Sequence, residues 1–554
     1  MRSRRLLLVP LLFAVLGVGF TAGFYGAQGE DDFFAIRKNF EIFAVVYEEL
    51  VGGYVDDVDP EQLMRSGIDA MLRDLDPYTT FIDEADNADI DIITRGRYGG
   101  VGLNIGMRGG KITVISPVEG ASGYKQGVRA GDVVLEVAGK SVADFTLADL
   151  RSLLRGEPGT AVEIVVEREG EPEGLQFLLT REEVKLKNVT YSGFVGGDTL
   201  GGMGYVKLER FARGAAGEVR RAVEELQASS DLEGLVLDLR DNPGGLLDAA
   251  VEISQLFVPQ GSVIVSTRGR LPQNQRVYRS KAAPIAPDVP LVVLMNEYSA
   301  SASEIVAGAI QDLDRGVIAG VPSFGKGLVQ VIKTLPYNTS LKMTTSKYYT
   351  PSGRSIQAID YGSHDGSFAE IPDSLRRPFR TAAGRSVMDG RGIEPDLAAP
   401  LPPLSELEQA LERRAAFFFF ANAYAAQHPS IADHFEVDDA TLESFKSWLE
   451  TEDFSYRTAA EREVNTIIEG LEEIGYDEAT DEAEALRTAI REEKAADFER
   501  YADRLKERLR SEILARYESE SDQVEAALDH DEQLAEALGL LVDAPAYQQV
   551  LAGR

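Results

Sequence analysis

Apolar residues recur every three or four positions in two stretches between about residues 32 and 90, FFAIRKNFEIFAVVYEEL and PEQLMRSGIDAMLRDL. This spacing predicts amphipathic helices, and the second should end before Asp76-Pro77 because proline cannot continue a helix. From Gly96 the pattern changes to short alternating stretches broken by glycine. YGGVGLNIGMRGGKITVISPVEG and GDVVLEVAGKSV predict hairpins, the first turning at Gly109-Gly110. TLADLRSLLRG predicts a short helix, and TAVEIVVERE a closing strand.

Between about residues 200 and 360, apolar strands alternate with amphipathic helices. The strands are MGYVKLERF, GLVLDLR and PLVVLMN, and the helices include GEVRRAVEELQAS and SEIVAGAIQDL. This alternation predicts a mostly parallel sheet, and ligands bind outside the carboxyl ends of such strands. GLVLDLR leads into Asp241-Asn242-Pro243-Gly244-Gly245, and PLVVLMN leads into Tyr298-Ser-Ala-Ser301-Ala-Ser303-Glu304.

After about residue 400 the chain is charged and helical, with no glycine-rich loop and no metal-ligand spacing. We interpret the run Phe417–Phe420 and the single tryptophan, Trp448, as core packing because large aromatic side chains are mostly buried. This region is predicted to be an acidic helical domain used for packing, oligomerisation or contact with a partner.

The composition narrows the function classes. With 554 residues, the chain should form three or four domains, and with no cysteine it has no thiol nucleophile or disulfide. A net charge of −34 argues against a nucleic-acid surface, which needs clustered lysine and arginine. No metal or organic cofactor is implied.

The N-terminus predicts export. Arg2, Arg4 and Arg5 precede an uncharged stretch from Leu6 to Ala27, which is about long enough to span a bilayer. Because no clean small-x-small cleavage site follows, an uncleaved membrane anchor is favoured over a removed signal peptide. The rest of the protein is expected outside the cytoplasmic membrane, in the periplasm or another extracytoplasmic space.

The serine cluster and a later lysine carry the candidate chemistry. A serine hydroxyl needs a base, yet the chain has only four histidines and none lies between the cluster and Phe324-Gly325-Lys326-Gly327. Lys326 is therefore the better candidate for the base. Its pKa must fall from about 10.4, which burial would achieve, and Phe324, Val329 and Val331 are apolar neighbours that can provide it.

Stabilising the transition state requires backbone donors near the serine. The N–H of Ala302 is one candidate, and the Gly244-Gly245 turn is another, with the choice between the two glycines left open. Glu304 and Asp312 are expected to cap the following helix or to face solvent. Arg240 and Asp241 either order the glycine turn or form a surface ion pair.

Residues 95–185 resemble a PDZ domain. Tyr98-Gly99-Gly100-Val101-Gly102-Leu103 (Tyr98, Gly99, Gly100, Val101, Gly102 and Leu103) stands where PDZ domains bind a peptide's terminal carboxylate, and Gly127–Val134 matches a stretch typical of the bacterial type. Glycines allow the backbone to approach an anion, and an open sheet edge can accept a peptide as an added strand. The alternative is a small β domain with ordinary glycine turns.

With these motifs in this order, the chain resembles the carboxyl-terminal processing (tail-specific) serine proteases. The resemblance extends from about Phe34 to Leu397 and includes Leu75-Asp76-Pro77-Tyr78 and the stretch Tyr348–Gln357. It implies Ser301 as nucleophile, since only this serine of the cluster lies 25 residues before Lys326. It also implies Lys326 as base and Gln330 as the residue that orients it. Whether Gln330 reaches the lysine depends on a helical turn or a bend, which the sequence leaves open.

The implied fold is an α/β, crotonase-like protease core with an inserted PDZ-like β domain. The expected division is a signal or anchor at 1–29, a helical region at 30–94, the PDZ-like domain at 95–185, the protease core at 186–400 and an acidic helical domain at 401–554. The expected substrates are proteins with free C-termini, with an adaptor protein and a homo-oligomer left open. The alternative is a non-catalytic PDZ scaffold on the same fold.

Overall fold

The protein is represented by a computed structural model. The structure describes residues 30–84, 90, 92, 94–196, 201–361, 368–432 and 434–553. The predicted membrane anchor at residues 1–29 lies outside these residues. Among the helices that are described, none has both the length and the apolar character needed to cross a bilayer. The chain divides between Phe81 and Ile82 into two compact units.

The first unit contains the two helices expected from the apolar spacing, α1 (Glu30–Gly53) and α2 (Pro60–Arg73). Helix α2 begins at Asp59, whose Oδ1 accepts hydrogen bonds from the N–H groups of Glu61 (2.8 Å) and Gln62 (3.2 Å). An N-cap of this kind satisfies backbone donors that have no partner within the helix. Strand β1 (Thr80–Ile82) follows at the boundary between the units.

The PDZ-like region forms a small antiparallel sheet in the order β3-β4-β5-β7-β8, with β6 paired to β5. Both predicted hairpins are confirmed, but TAVEIVVERE (β7) does not close the sheet, because β8 pairs along its outer edge. Strands β2 and β9, at the two ends of the region, pair with each other. The elements are β2 (Arg97–Gly100), β3 (Leu103–Arg108), β4 (Lys111–Pro117), α3 (Ser122–Gln126), β5 (Val133–Val137), β6 (Lys140–Ser141), α4 (Leu147–Leu154), β7 (Ala161–Glu167), β8 (Leu175–Thr180) and β9 (Glu182–Lys185).

The α/β region is built on a six-stranded sheet in the order β10-β11-β12-β15-β16-β23. Every neighbouring pair is parallel except β10 with β11, so the predicted mostly parallel sheet is confirmed. Strands β12 and β15 are buried at every position, as expected for parallel strands covered on both faces. The elements are β10 (Val189–Phe194), β11 (Met203–Leu208), α5 (Ala215–Ser229), β12 (Gly234–Asp238), α6 (Leu247–Ser254), β15 (Leu291–Met295), α7 (Ala302–Asp312), β16 (Val317–Gly320) and β23 (Leu397–Ala398).

A second sheet carries the segment that follows Lys326. In it, β18 pairs antiparallel with both β17 and β13, and β13 pairs with β14. Shorter strands follow in two small antiparallel pairs, β19 with β20 and β21 with β22. The elements are β13 (Val263–Gly269), β14 (Arg276–Arg279), β17 (Leu328–Thr334), β18 (Ser340–Tyr349), β19 (Ile359–Asp360), β20 (Ala369–Glu370), β21 (Pro378–Arg380) and β22 (Ser386–Met388).

The C-terminal region is helical, as predicted, and has its own core. Phe417, Phe418 and Phe420 are buried, and Trp448 stacks on Phe445, so the interpretation of these aromatics as packing residues is confirmed. The helices are α8 (Glu406–Arg413), α9 (Ala416–Gln427), α10 (Asp439–Thr451), α11 (Ala459–Glu473), α12 (Asp477–Ala495), α13 (Asp497–Arg500), α14 (Ala502–Leu514), α15 (Glu520–Leu528), α16 (Glu532–Val542) and α17 (Ala544–Leu551).

The last two helices pack on the six-stranded sheet of the α/β region. Leu538 and Leu541 of α16 share a buried cluster with Val236 and Leu294 of the sheet. The Tyr547 hydroxyl of α17 donates to the carbonyl of Leu291 and accepts from its N–H, both at 3.0 Å. The end of the chain is therefore part of the core that supports strands β12 and β15.

Candidate active site

Ser301 lies at the sharp connection between β15 and α7. Its backbone has φ +56° and ψ −107°, outside the regions that non-glycine residues normally occupy. Such strain costs about 1–3 kcal/mol and persists only where surrounding contacts enforce it. Ser301 is partly exposed, at the end of a strand buried over its whole length.

The other two serines of the cluster are fully buried and engaged with backbone carbonyls. The Ser299 hydroxyl donates to the Leu239 carbonyl and the Ser303 hydroxyl to the Asn242 carbonyl, each at 2.8 Å. The Ala300 N–H also donates to the Asn242 carbonyl, at 3.0 Å. Ser299 and Ser303 therefore bind the serine turn to the turn that follows β12, while Ser301 reaches the surface.

Glu304 is buried at the centre of the site. Its Oε2 accepts hydrogen bonds from the N–H groups of Ser301 (2.7 Å) and Lys326 (3.0 Å). Its Oε1 accepts from the Gly325 N–H (2.7 Å) and the Ser323 hydroxyl (2.6 Å). The expectation that Glu304 caps α7 is confirmed, but solvent exposure is wrong, because the side chain turns back from the helix start toward the Lys326 segment.

The ionisation of Glu304 reflects two opposing effects. Complete burial penalises the charged form and raises its pKa to about 7, while its four hydrogen-bond donors act in the opposite direction. Tyr348 of β18 lies nearby and donates its hydroxyl proton to the Ser301 carbonyl at 3.1 Å. Burial, reinforced by the Glu304 charge, raises the pKa of Tyr348 well above its usual value, so the phenol stays protonated.

Lys326 lies between two glycines that the structure requires. A Cβ on Gly325, whose φ is +85°, would come within 2.4 Å of the Ala358 Cβ. A Cβ on Gly327 would come within 2.9 Å of the Gln357 nitrogen. Oε2 of Glu304 accepts hydrogen bonds from the backbone nitrogens of both Ser301 (2.7 Å) and Lys326 (3.0 Å). The distance between these two nitrogens therefore cannot exceed the two hydrogen-bond lengths added together.

Gln330 and the apolar neighbours of Lys326 follow on β17. The segment is a strand with a register shift between Val329 and Gln330, so the alternative of a helical turn is wrong and a local bend is present. The Gln330 side-chain nitrogen donates to the Thr344 hydroxyl at 3.2 Å. Phe324 is 47 % exposed and Val331 41 %, so these two side chains do not form the buried apolar surrounding that we expected.

The Gly244-Gly245 turn lies directly against the serine segment. A Cβ on Gly244, whose φ is +98°, would lie 2.6 Å from the Ala300 carbonyl oxygen and 2.8 Å from the Ala302 nitrogen. The Gly244 N–H is already used, because it donates to the Asn242 side-chain oxygen at 2.9 Å. Within the described residues, the N–H groups of Gly245 and Ala302 have no hydrogen-bond acceptor.

Arg240 stabilises the start of the Gly244-Gly245 turn through two largely buried ion pairs. Its guanidinium bonds to Asp238 (2.6 Å) and to Asp531 (2.5 Å), and its side chain is only 12 % exposed, so the surface ion pair is wrong. Burial opposes ionisation of Asp238, but Arg240 and Lys207 hold its pKa well below the usual range. Asp241 bonds instead to Asn296, with which it exchanges hydrogen bonds of 3.0 and 2.9 Å.

Asp312, at the far end of α7, is buried, so the expectation that it faces solvent is wrong. It lies 2.9 Å from the guanidinium of Arg354, which is also buried, and accepts from the Ser352 N–H at 2.9 Å. A buried carboxylate requires such partners because an unpaired charge is costly away from water. Asp312 therefore anchors α7 to the segment that follows β18.

The residues of the proposed carboxylate-binding loop take different positions. Tyr98, Gly99 and Gly100 lie in β2 and pair with β9, whereas Val101 and Gly102 form the turn into β3. A Cβ on Gly102, whose φ is +72°, would lie 2.2 Å from the Ala121 Cβ. Leu103 begins β3, which among the described strands pairs only with β4 and so forms an edge of the sheet.

Sequence reasoning missed the roles of Asn242 and Tyr348 and underestimated Glu304. The signal for Glu304 was present as the Ser-x-x-Glu capping-box spacing, but that pattern occurs at many ordinary helix starts. Asn242 stands in the Asp-Asn-Pro-Gly-Gly stretch, where its side chain accepts from Gly244 and its amide donates to the Leu208 carbonyl at 2.7 Å. Tyr348 was named only within the stretch Tyr348–Gln357 of the family resemblance, and its contact with the Ser301 carbonyl joins β18 to the start of α7, which local periodicity does not reveal.

Three family descriptions match successive parts of the chain. They are peptidase family S41 over residues 202–362, a PDZ domain over residues 113–168, and the C-terminal helical domain of probable PDZ-proteases over residues 407–541. The α/β region, the small antiparallel sheet and the helical tail each have a counterpart among them.

Similar proteins point to the same family. A carboxy-terminal-processing protease of Bartonella bacilliformis is 38 % identical over 325 residues, covering 58 % of this chain and 73 % of the relative. A chloroplastic C-terminal processing peptidase of Tetradesmus obliquus is 35 % identical over 296 residues, covering 51 % of this chain and 63 % of that protein. A photosystem II D1 C-terminal processing protease of known structure is 29 % identical, with a TM-score of 0.36, covering 64 % of this chain and 85 % of its own. The 38 % identity to the Bartonella protease over 73 % of that relative shows that this chain belongs to the carboxy-terminal-processing proteases of peptidase family S41, which are serine-type peptidases.

Proposed function

We propose that this protein is an endopeptidase with a Ser301–Lys326 dyad that cleaves proteins at or near their C-terminal ends. The observation that carries the proposal is the Glu304 oxygen to which the backbones of both residues donate. It draws together two segments that are separated by helix α7 and strand β16. The names of the two curated relatives support the same reaction.

In this mechanism the Ser301 hydroxyl attacks the peptide carbonyl while the Lys326 amine takes its proton. The same amine then returns the proton to the leaving nitrogen. A neutral amine is required, and substrate lying across the partly exposed Phe324 and Val331 would exclude water from it. The Gln330 side-chain oxygen is proposed to orient the amine, since an amide can accept a hydrogen bond without adding charge.

The N–H groups of Gly245 and Ala302 are proposed as the donors for the oxyanion. Ala302 follows Ser301, and Gly245 follows Gly244, whose Cβ position lies 3.0 Å from the Ser301 Cβ. Neither N–H has an acceptor among the described residues, whereas the Gly244 N–H is occupied by Asn242. Donors that are already in place cost no reorganisation when charge develops on the carbonyl oxygen. Gly244 supports them by allowing its turn to approach the Ser301 backbone.

The PDZ domain is proposed to bind the substrate's C-terminus. The turn at Val101 and Gly102 would accept the terminal carboxylate, and β3 offers an edge along which an extended peptide can add as a strand. The peptide's last residues would then lie between β3 and α4. An adaptor protein and self-association remain compatible with this arrangement.

We propose that the enzyme works outside the cytoplasmic membrane, anchored through residues 1–29. The support is the sequence of three arginines followed by an uncharged apolar stretch. If this is correct, full-length protein in cells stays in the membrane fraction after carbonate washing and is digested by protease added outside that membrane. Release by carbonate or protection from the added protease would contradict the anchor or the orientation.

The proteolytic function is tested with protein lacking residues 1–29 and an unstructured substrate that ends in apolar residues. Ser301→Ala and Lys326→Ala should each abolish cleavage while leaving substrate binding unchanged. Lys333→Ala, which removes an exposed lysine from the same strand region, is the matched control and should retain full activity. Cleavage that survives in either dyad variant overturns the mechanism, and binding without cleavage by the wild type favours the scaffold alternative.

A further inference from the structure

Glu304 connects the two catalytic segments through hydrogen bonds from three backbone N–H groups and one serine hydroxyl. One oxygen accepts from Ser301 and Lys326, and the other accepts from Gly325 and Ser323. We propose, on the basis of the dyad mechanism above, that Glu304 is a positioning residue whose ionised carboxylate fixes the Ser301 turn and the Lys326 segment relative to each other. It acts through these backbones and does not contact the substrate, because its side chain is fully buried.

The donors around Glu304 select the ionised form. Three of the four are backbone N–H groups, which cannot reverse their direction, and a carboxylate is an acceptor at both oxygens. A protonated carboxyl group accepts as a neutral group and carries one O–H donor, so the N–H groups lose charge-assisted hydrogen bonds, which are about twice as strong as neutral ones. The Ser323 oxygen, which accepts from the Ile393 N–H at 2.7 Å, would have to turn its own hydroxyl proton away if the Glu304 proton pointed to it. Protonation of Glu304 therefore loosens at least one catalytic segment.

The surroundings place this protonation near neutral pH. Among the described residues, Tyr348 of β18 is the titratable group that interacts with the carboxylate, while Lys326 contacts it through its backbone N–H. Tyr348 remains a neutral phenol, and burial raises the pKa of Glu304 to about 7. Catalysis consequently requires two deprotonated groups, the carboxylate of Glu304 and the amine of Lys326.

The first variant is Glu304→Gln, which keeps the size of the side chain and removes the charge. In either orientation of the amide, its NH2 group faces at least one backbone N–H of the Ser301 or Lys326 segment. We expect kcat to fall by at least about 10-fold, since a buried donor left without an acceptor displaces the segment that carries it. KM should change by less than about 2-fold because no substrate contact is lost.

Glu461→Gln is the matched control. Glu461 is also the third residue of a capped helix, accepts from its N-cap N–H at 3.0 Å, and lies in the C-terminal helices. It should leave kcat unchanged. If Glu304→Gln has the activity of Glu461→Gln, the positioning role is wrong.

Amide hydrogen exchange separates positioning from general loss of folding. In Glu304→Gln the amides of Gly325 and Lys326 should exchange at least about 10-fold faster, while those of α9 and α14 keep their protection. Ser301→Ala should abolish cleavage with no change in this exchange, so failure of the dyad mechanism and failure of the positioning role give different results. Unchanged exchange at Gly325 and Lys326 overturns the proposal.

The wild-type protein provides a test without any substitution. Between pH 8 and pH 6, after correction for intrinsic exchange, the Gly325 and Lys326 amides should lose protection through local openings that keep Glu304 buried, even though protonation of Glu304 opposes global unfolding. The slope of log kcat against pH below about 7 should be about one unit steeper in the wild type than in Glu304→Gln, because one titration has been removed. Equal slopes, or protection that does not depend on pH, would overturn the role of Glu304 ionisation.

Discussion

Helices α7 and α11 begin with the same sequence signature, Ser301-x-x-Glu304 in one and Thr458-x-x-Glu461 in the other. In each, the N-cap backbone N–H donates to the glutamate, at 2.7 Å to Glu304 and 3.0 Å to Glu461. The two helix starts nevertheless differ in backbone strain and in charge. Under the proposed mechanism, one local pattern serves stability at α11 and catalysis at α7.

At α11 the pattern is an ordinary stabilising cap. Thr458 has an extended backbone with φ −73°, and its hydroxyl accepts from the Glu461 N–H at 3.1 Å. The Lys494 amine lies 2.8 Å from Glu461. Burial opposes ionisation of Glu461, but the hydrogen bonds from Lys494 and Thr458 lower its pKa. At α7, by contrast, the Ser301 backbone is strained and the pKa of Glu304 is raised. This helix start therefore lowers the stability of the fold while it holds Ser301 in an unusual conformation.

The largest effect is expected from Gly244→Ala. The added methyl would lie within 2.8 Å of the Ala302 nitrogen and 3.0 Å of the Ser301 Cβ, so the serine turn must move. We expect kcat to fall by at least about 100-fold, the loss typical of a disturbed oxyanion donor. Steady-state kinetics on a peptide substrate measures it.

Gly214→Ala is the control for backbone strain. Gly214 has a similar φ of +93°, but a Cβ there would meet nothing within 4 Å. This variant should lose about 1–2 kcal/mol of stability through strain and keep its activity. Equal kinetic losses in the two variants would show that strain, and not the contact with Ser301, causes the effect.

The pH dependence of stability should have opposite signs at the two helix starts. Because folding raises the pKa of Glu304 from about 4.5 to about 7, the unfolded chain releases its proton first as pH rises, so stability falls across that window. Relative to Glu304→Gln, the wild type should lose at most about 3 kcal/mol of unfolding free energy between pH 4.5 and 7. Denaturant titrations at several pH values measure this difference.

The lowered pKa of Glu461 predicts the reverse for the other helix. Relative to Glu461→Gln, the wild type should lose stability as pH falls, because protonation of Glu461 breaks its hydrogen bond with Lys494. If both comparisons change in the same direction with pH, the contrast between the two carboxylates is wrong.

The smallest effect is expected from Thr458→Ala. Loss of the N-cap hydroxyl should lower the unfolding free energy by about 1 kcal/mol and leave kcat unchanged. Thermal and chemical denaturation, together with the cleavage assay, measure both quantities. A fall in activity greater than the fall in folded protein would show that α11 is coupled to the active site.

The sequence predicted those features that depend on local pattern. The parallel sheet followed from buried strands alternating with helices, whereas the choice of Ser301 came from the family resemblance, which implies a nucleophile 25 residues before Lys326. The structure adds a physical reason for that choice, since Ser299 and Ser303 are buried and bonded to carbonyls. The hairpin at Gly109-Gly110 was also predictable from a glycine pair between two alternating stretches. In the structure both glycines adopt positive φ.

Features that depend on distant contacts were not predictable in the same way. For Arg240 the sequence left open both a role in ordering the glycine turn and a surface ion pair, because its partner, Asp531, lies near the end of the chain and nothing in the local sequence reveals that contact. Glu304 was assigned to a cap or to solvent because its remaining donors come from the Lys326 segment. The packing of α16 on the sheet likewise depends on apolar faces. Sequence periodicity reveals that such a face exists, but not which element it packs against.

The proposed catalysis depends most on one hydroxyl, activated by one amine and held in place by one buried carboxylate. Stoichiometric labelling with a fluorophosphonate, followed by peptide mass analysis, tests this most directly. We predict a single adduct on Ser301 in the wild type, with labelling strongly slowed in Lys326→Ala and in Glu304→Gln and unchanged in Lys333→Ala and Glu461→Gln. An adduct on another residue, or a Ser301 labelling rate that does not depend on Lys326, would contradict the account.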